Sequence, residues 1–180
     1  MAETVAPPVD RVDAEFMRSF VERWANAWNG HDADALTSLC TEDVVWDDPA
    51  LAGPEHGRAA VREYLRGVWT MFPDLSFALP EPPLIALDGP RAGQVWVMTG
   101  TMLGSDPWAG FAPTGKHVEL EGIDLYEFRD GLLAHYRGRY DMAETARQLG
   151  LAPARGSRPE RIAARLQRTA VRLRRKRTRA

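Results

Sequence analysis

The chain has 180 residues, 44% hydrophobic and 27% charged, with six Trp. That suffices for one domain with a sizeable core and excludes two ordinary domains or a disordered chain. A net charge of −2 conceals a split, since residues 155–180 hold eleven Arg or Lys and one acid, whereas residues 1–154 hold twelve bases and twenty-four acids. The lone Cys40 excludes an internal disulfide. No apolar run reaches the roughly eighteen residues of a membrane span, and the first residues lack the basic flank and apolar core of an export signal. A cytoplasmic location is therefore expected.

Residues 1–12 read as a short, Pro-containing, mobile leader. From Asp13 onward Phe16, Phe20, Trp24 and Trp28 recur every fourth position, which predicts a helix with one apolar face, stopped by Asn29-Gly30. Asp32 is placed to cap a second, shorter helix through Leu36 and Leu39, and Val44–Asp48 reads as a strand halted by Pro49. A Gly/Pro loop, 51–57, precedes a third helix that buries Val61, Leu65, Val68 and Phe72 and ends at Pro73.

The period then changes. Segments 75–79, 84–87, 94–103, 117–128 and 132–140 read as strands separated by turn chemistry, with Asp130-Gly131 the strongest hairpin signal. Asp141 sits where a strand gives way to a short helix and is expected to cap it. The order, helices first and then a meander of strands, predicts an α+β domain over residues 13–153, with three N-terminal helices packed on a curved, mostly antiparallel, barrel-like sheet. Residues 154–180 form a basic amphipathic tail in which Ser157 and Glu160 make a capping box and Ile162, Leu166, Ala170 and Leu173 a narrow apolar stripe.

Two aspartates carry the functional reading. Asp48 closes the apolar strand Val44-Val45-Trp46-Asp47-Asp48, and Asp124 interrupts Gly122-Ile123-Asp124-Leu125-Tyr126-Glu127-Phe128. Strand alternation turns Asp47 to the opposite side from Asp48 and sets Asp124 on the face of Leu120, Tyr126 and Phe128. A carboxylate in such surroundings is costly to desolvate, so one facing inward is a candidate for chemistry. Arg137 and Arg139 share one face of the last strand, where one of them could neutralise a carboxylate, and Tyr136 and Tyr140 occupy the other face. The four histidines are scattered, so no metal site is expected, and no phosphate loop or nucleophile elbow is present.

The segments Trp24-Ala25-Asn26-Ala27-Trp28-Asn29-Gly30-His31-Asp32, Trp46-Asp47-Asp48-Pro49, His56-Gly57, Phe72-Pro73-Asp74, Pro113-Thr114-Gly115-Lys116, Phe128-Arg129-Asp130-Gly131 and Asp141 with Gln148-Leu149-Gly150 together resemble the cone-shaped nuclear transport factor 2-like superfamily. Within it they are similar to SnoaL-like polyketide cyclases, ketosteroid isomerases and limonene-epoxide-hydrolase-type enzymes, over roughly residues 13–151. The resemblance implies Asp48 as general base and Asp124 as the acid beside the developing oxyanion. It also implies Trp24, Trp46, His56, Tyr126, Phe128, Arg137 and Tyr140 around a substrate. Trp24 stands where ketosteroid isomerases place a Tyr, and Gly138 where the cyclases carry their catalytic Asp.

The expectation is a small acid–base isomerase, cyclase or lyase acting without a cofactor on an apolar carbonyl compound, a polyketide or steroid-like ring, in a homodimer. The alternative is a non-catalytic module of the same fold that binds an apolar ligand or dimerises. The tail lacks the aromatics that stack on bases or enter a bilayer, so nucleic-acid and membrane partners are not expected.

Overall fold

The computed structural model describes residues 12–177. The expected leader, Val12 excepted, and the side chain of Leu173 lie outside the described residues.

Helix α1 (Ala14–Asn29) begins where the Asp13 carboxylate accepts the Phe16 N–H at 2.8 Å, and α2 (Ala33–Ser38) where Asp32 accepts Ala35 N–H at 2.8 Å. Both caps satisfy orphan amides of a first turn. Strand β1 (Cys40–Asp47) follows, then the two-residue β2 (Glu55–His56) and α3 (Gly57–Met71). β2 falls within the stretch expected to be loop; it forms because Val45 and Trp46 pair with His56 and Glu55. Strands β3 (Ser76–Ala78), β4 (Leu84–Ile85), β5 (Arg91–Thr101), β6 (His117–Arg129) and β7 (Leu132–Tyr140) make up the second half. β5 starts at Arg91, three residues before the turn chemistry suggested, because its first residues continue the ladder with β6 down to Glu127.

The strand order is β2-β1-β7-β6-β5-β3, with β4 also on β5. All neighbours are antiparallel except β1 and β7, which run parallel, so the sheet is mixed and does not close. Asp130 and Gly131, at φ +52° and +75°, make the tight β6–β7 turn, where glycine is at home and Asp tolerable. This is an α+β fold with helices laid over one face of the sheet.

The core is an aromatic column. Phe20, Trp24 and Trp28 of α1 meet Trp46 of β1 and Tyr126, Phe128 and Tyr136 of the sheet, with ring centroids from 3.9 Å (Trp46–Tyr136) to 6.4 Å (Trp28–Trp46). Rings at these distances bury large areas and hold one another in register.

Helix α4 (Met142–Gln148) opens with Asp141 accepting Glu144 N–H at 2.9 Å. Helix α5 (Arg158–Arg177) starts on the expected box, with Ser157 Oγ accepting Glu160 N–H at 3.3 Å and Glu160 Oε2 accepting Gly156 N–H. It stands off the domain, and Ile162 and Leu166 are 57% and 67% exposed. No helix among the described residues is long and apolar enough to cross a membrane.

Candidate active site

A cavity of about 310 Å³ opens between the inner face of the sheet, α3, α4 and the segment after β5. Its inner wall is Trp28, Tyr64, Phe77, Trp96, Tyr136 and Tyr140, and Trp108 and Phe111 stand at its exposed end. Two charged residues line it, Asp48 and Asp106, and none of the described lining residues is Lys, Arg or His.

Asp48 follows β1 directly, where Pro49 ends the ladder. Its Oδ1 accepts the Tyr140 hydroxyl at 2.8 Å and the Ala50 N–H at 2.9 Å, and Tyr64 stands beside it on the same wall. Burial pushes its pKa above the ordinary carboxylate range, opposed by the Ala50 amide and the hydroxyls of Tyr140 and Tyr64. Asp47 turns the other way and pairs with Arg139 at 2.8 Å, as strand alternation requires.

Asp124 is reached differently. Its Oδ1 accepts the Trp96 indole N–H at 2.7 Å and the Tyr136 hydroxyl at 2.8 Å, and its Oδ2 accepts the Tyr126 hydroxyl at 3.0 Å. Burial pushes its pKa up to about 7 despite those bonds, with the charge of Asp48 a smaller contribution in the same direction. Asp124 is absent from the cavity wall; the rings of Trp96 and Tyr136 stand on that wall in its place.

Two glycines make this arrangement possible. The Trp96 indole lies across Gly122, its register partner, where a Cβ would come within 2.3 Å of the ring. The Tyr136 hydroxyl lies over Gly138, the residue paired with Asp124, where a Cβ would stand 2.9 Å from that oxygen and 3.2 Å from Asp48 Oδ2. Gly138, where the resemblance would have a catalytic acid, instead leaves room for a hydroxyl between the two carboxylates. Both acids thus face the same end of the core, with the Tyr136 hydroxyl between them.

Among the other expected site residues, Tyr140 lines the cavity and binds Asp48. Trp24 and Trp46 are buried in the aromatic column and do not reach the wall; the indole that donates to Asp124 belongs to Trp96. Phe128 packs against Phe16 and Phe20, away from the cavity. Tyr126 contributes its hydroxyl to Asp124 from behind. Arg137 points to the opposite face, and with Leu84, Ile85, Arg91 and Leu125 it lines a separate groove. His56 is exposed on β2.

Sequence reasoning passed over Tyr64, Trp96, Tyr136 and Asp106. Parity pointed to Tyr136, which shares a face with Tyr140 and Gly138. The pairings Trp96–Gly122 and Asp124–Gly138 become visible only once the β5–β6–β7 register is known. Tyr64 and Asp106 carry no local signal, because their meeting at the cavity depends on how α3 and the segment after β5 pack.

Among solved structures the chain is similar to TsrD from Streptomyces laurentii, at 23% identity and a TM-score of 0.66, covering 78% of this chain and 99% of that one. It is similar to AclR from Streptomyces galilaeus, at 19% identity and a TM-score of 0.65, covering 89% and 97%. A Catenulispora acidiphila protein with a ketosteroid isomerase-like fold, solved in complex with trimethylamine, matches at 20% identity and a TM-score of 0.60, covering 72% and 91%. At these identities the likeness speaks for the fold. The model of the SnoaL-like domain matches residues 21–136, from α1 through Tyr136, and by that match the chain belongs to the SnoaL-like domain family.

Proposed function

We propose that the domain is a cofactor-independent acid–base enzyme of the isomerase, cyclase or lyase kind that acts on an apolar carbonyl compound such as a polyketide or steroid-like ring. The observation that carries this reading is Asp48: a buried carboxylate on the wall of an aromatic cavity, 2.8 Å from the Tyr140 hydroxyl and with Tyr64 beside it on the same wall.

Asp48 removes a proton from the carbon next to the carbonyl and returns it to another atom of the same substrate. A pKa raised towards the working pH makes a carboxylate a stronger base for this step. Asp124 acts from behind the wall. In its protonated form it donates to the Tyr136 oxygen, and the Tyr136 hydrogen is then free to turn to the enolate oxygen in the cavity. Burial raises the Tyr136 pKa well above the usual phenol range, so Tyr136 lends a hydrogen bond and keeps its proton. Asp124 is in this reading a positioning residue, and Tyr136 the group that touches substrate.

The test uses 2-tetralone in D₂O, with α-deuterium incorporation followed by mass spectrometry. The wild type accelerates exchange above buffer, Asp48→Asn lowers the rate by about 10²–10⁴-fold, and Tyr136→Phe lowers it less. Unchanged exchange in Asp48→Asn overturns the reading. Saturable binding of 2-tetralone with exchange no faster than buffer would favour the alternative, a carrier of apolar ligands. That alternative draws on the enclosure of Asp124, whose three donors would also suit a purely structural acid. The expected homodimer would seat on the outer face of the sheet, where Val95, Val97, Ile123 and Leu125 are half-exposed; light scattering at a single monomer mass would remove it.

A further inference from the structure

The exposed end of the cavity is a built structure. Leu103 and Gly104 N–H groups donate to the last carbonyl of α3, Met71 O, at 3.1 Å each, which fastens the following segment to the end of that helix. Pro107 and Trp108 then lie in a saddle on α3 at Gly67, where a Cβ would stand 3.1 Å from each ring. Trp108 packs on Tyr64 at 5.3 Å. The loop closes on itself through Asp106 N–H to Phe111 O at 2.9 Å and Gly110 N–H to Asp106 O at 3.0 Å.

Within that loop Asp106 Oδ1 accepts Trp108 N–H at 2.8 Å and Ala109 N–H at 3.2 Å, and among the described residues no hydrogen bond occupies Oδ2. Asp106 shares the cavity wall with the Trp108 and Phe111 rings, 39% and 46% exposed. Aromatic faces present negative potential, and a carboxylate among them adds a full charge. The deeper charged group is the second acid, Asp48, and no described lining residue supplies a positive charge. The field throughout the cavity therefore attracts cations and repels anions.

We propose that the site takes apolar carbonyl compounds bearing an ammonium group, seated at the mouth between Asp106 and the rings of Trp108 and Phe111, and turns away those bearing a carboxylate or phosphate. The carbonyl end rests on the acid–base reading above. The ammonium seat is argued from the mouth alone and is tested without turnover.

Three probes of similar shape separate charge from fit: benzyltrimethylammonium, its uncharged isostere neopentylbenzene, and benzylsulfonate. Tryptophan fluorescence titration gives their affinities for the full-length chain. The cation binds about tenfold tighter than the isostere, as desolvated cation–π contact with a nearby carboxylate warrants, and the anion is weakest. Asp106→Asn erases the advantage of the cation and leaves the isostere unchanged. Trp108→Leu, a second variant in case the Asn loop is disturbed, weakens the cation more than the isostere. Equal affinities of cation and isostere in the wild type overturn the proposal, as does an advantage that survives in both variants, or a parallel loss of both probes in both. The wild-type chain tells the two readings apart: equal affinities of cation and isostere with exchange into 2-tetralone above buffer sink the ammonium seat and spare the base, whereas a cation advantage with exchange no faster than buffer spares the seat and sinks the base.

Discussion

Asp48 and Asp124 are two buried acids within one core, yet they are housed in opposite ways. Asp48 faces the cavity and takes its bonds from a backbone amide and from Tyr140, which shares that cavity with Tyr64. Asp124 is sealed behind the wall by an indole and two phenols. Burial raises both pKa values, but only the first acid can meet a ligand directly. What separates the carboxylate on the wall from the enclosed one here is which aromatic ring stands in front of it.

The largest expected break in that comparison is kinetic. Asp48→Asn removes about 10²–10⁴-fold of α-proton exchange, whereas Asp124→Asn, acting through Tyr136, costs less than tenfold. Equal losses would mean that both acids reach the substrate. Next come the glycines. Gly122→Ala drives a methyl into the Trp96 indole and should destabilise the fold by about 1–3 kcal/mol in urea melts. Gly138→Ala should cost less stability while pushing the Tyr136 hydroxyl off Asp124, and so lower exchange out of proportion to its effect on folding.

A paired removal sharpens the contrast further. Tyr126→Phe and Tyr136→Phe each take one donor from Asp124 and should each cost about 1–3 kcal/mol, but only Tyr136→Phe should slow exchange. pH gives a gentler measure. Folded Asp124 holds its proton to about pH 7, whereas the unfolded chain releases it near 3.8, so folding takes up a proton between those values. Stability from this group therefore falls as pH rises through that window, by at most about 1.4 kcal/mol per pH unit, and levels off above it. Asp124→Asn should flatten the slope in denaturation curves at pH 5 and pH 8, leaving the same-signed contribution of Asp48. The smallest effect belongs to the tail: removing residues 154–180 should leave the melting temperature nearly unchanged, because Ile162 and Leu166 of α5 stay exposed.

Much of the fold was legible because its signals are local. Four-residue spacing announced α1, Asp32 and Asp141 announced the caps of α2 and α4, and Asp130-Gly131 announced the last hairpin. The candidate site was half legible. Parity placed Asp48 and Asp124 inward and Asp47 outward, since alternation belongs to the strand itself. It could not say that Trp96 would lie across Gly122, or that Tyr136 would fill the space above Gly138, because those depend on register between strands. Trp24 and Trp46 read as cavity residues by resemblance, but the column of α1 rings keeps them in the core. Arg137 fell on the outer face for the same reason of parity that set Tyr136 and Tyr140 inside.

The parallel pairing of β1 with β7 has a consequence for how the protein is made. Asp48 is fixed by Tyr140, 92 positions later, and β1, beyond its two-residue pairing with β2, has its other ladder on the next-to-last element of the domain. Pairings so distant in sequence are slow to close. During synthesis the N-terminal helices and the strand that leads to Asp48 leave the ribosome long before the segment that completes them, so the cavity is among the last parts of the molecule to exist.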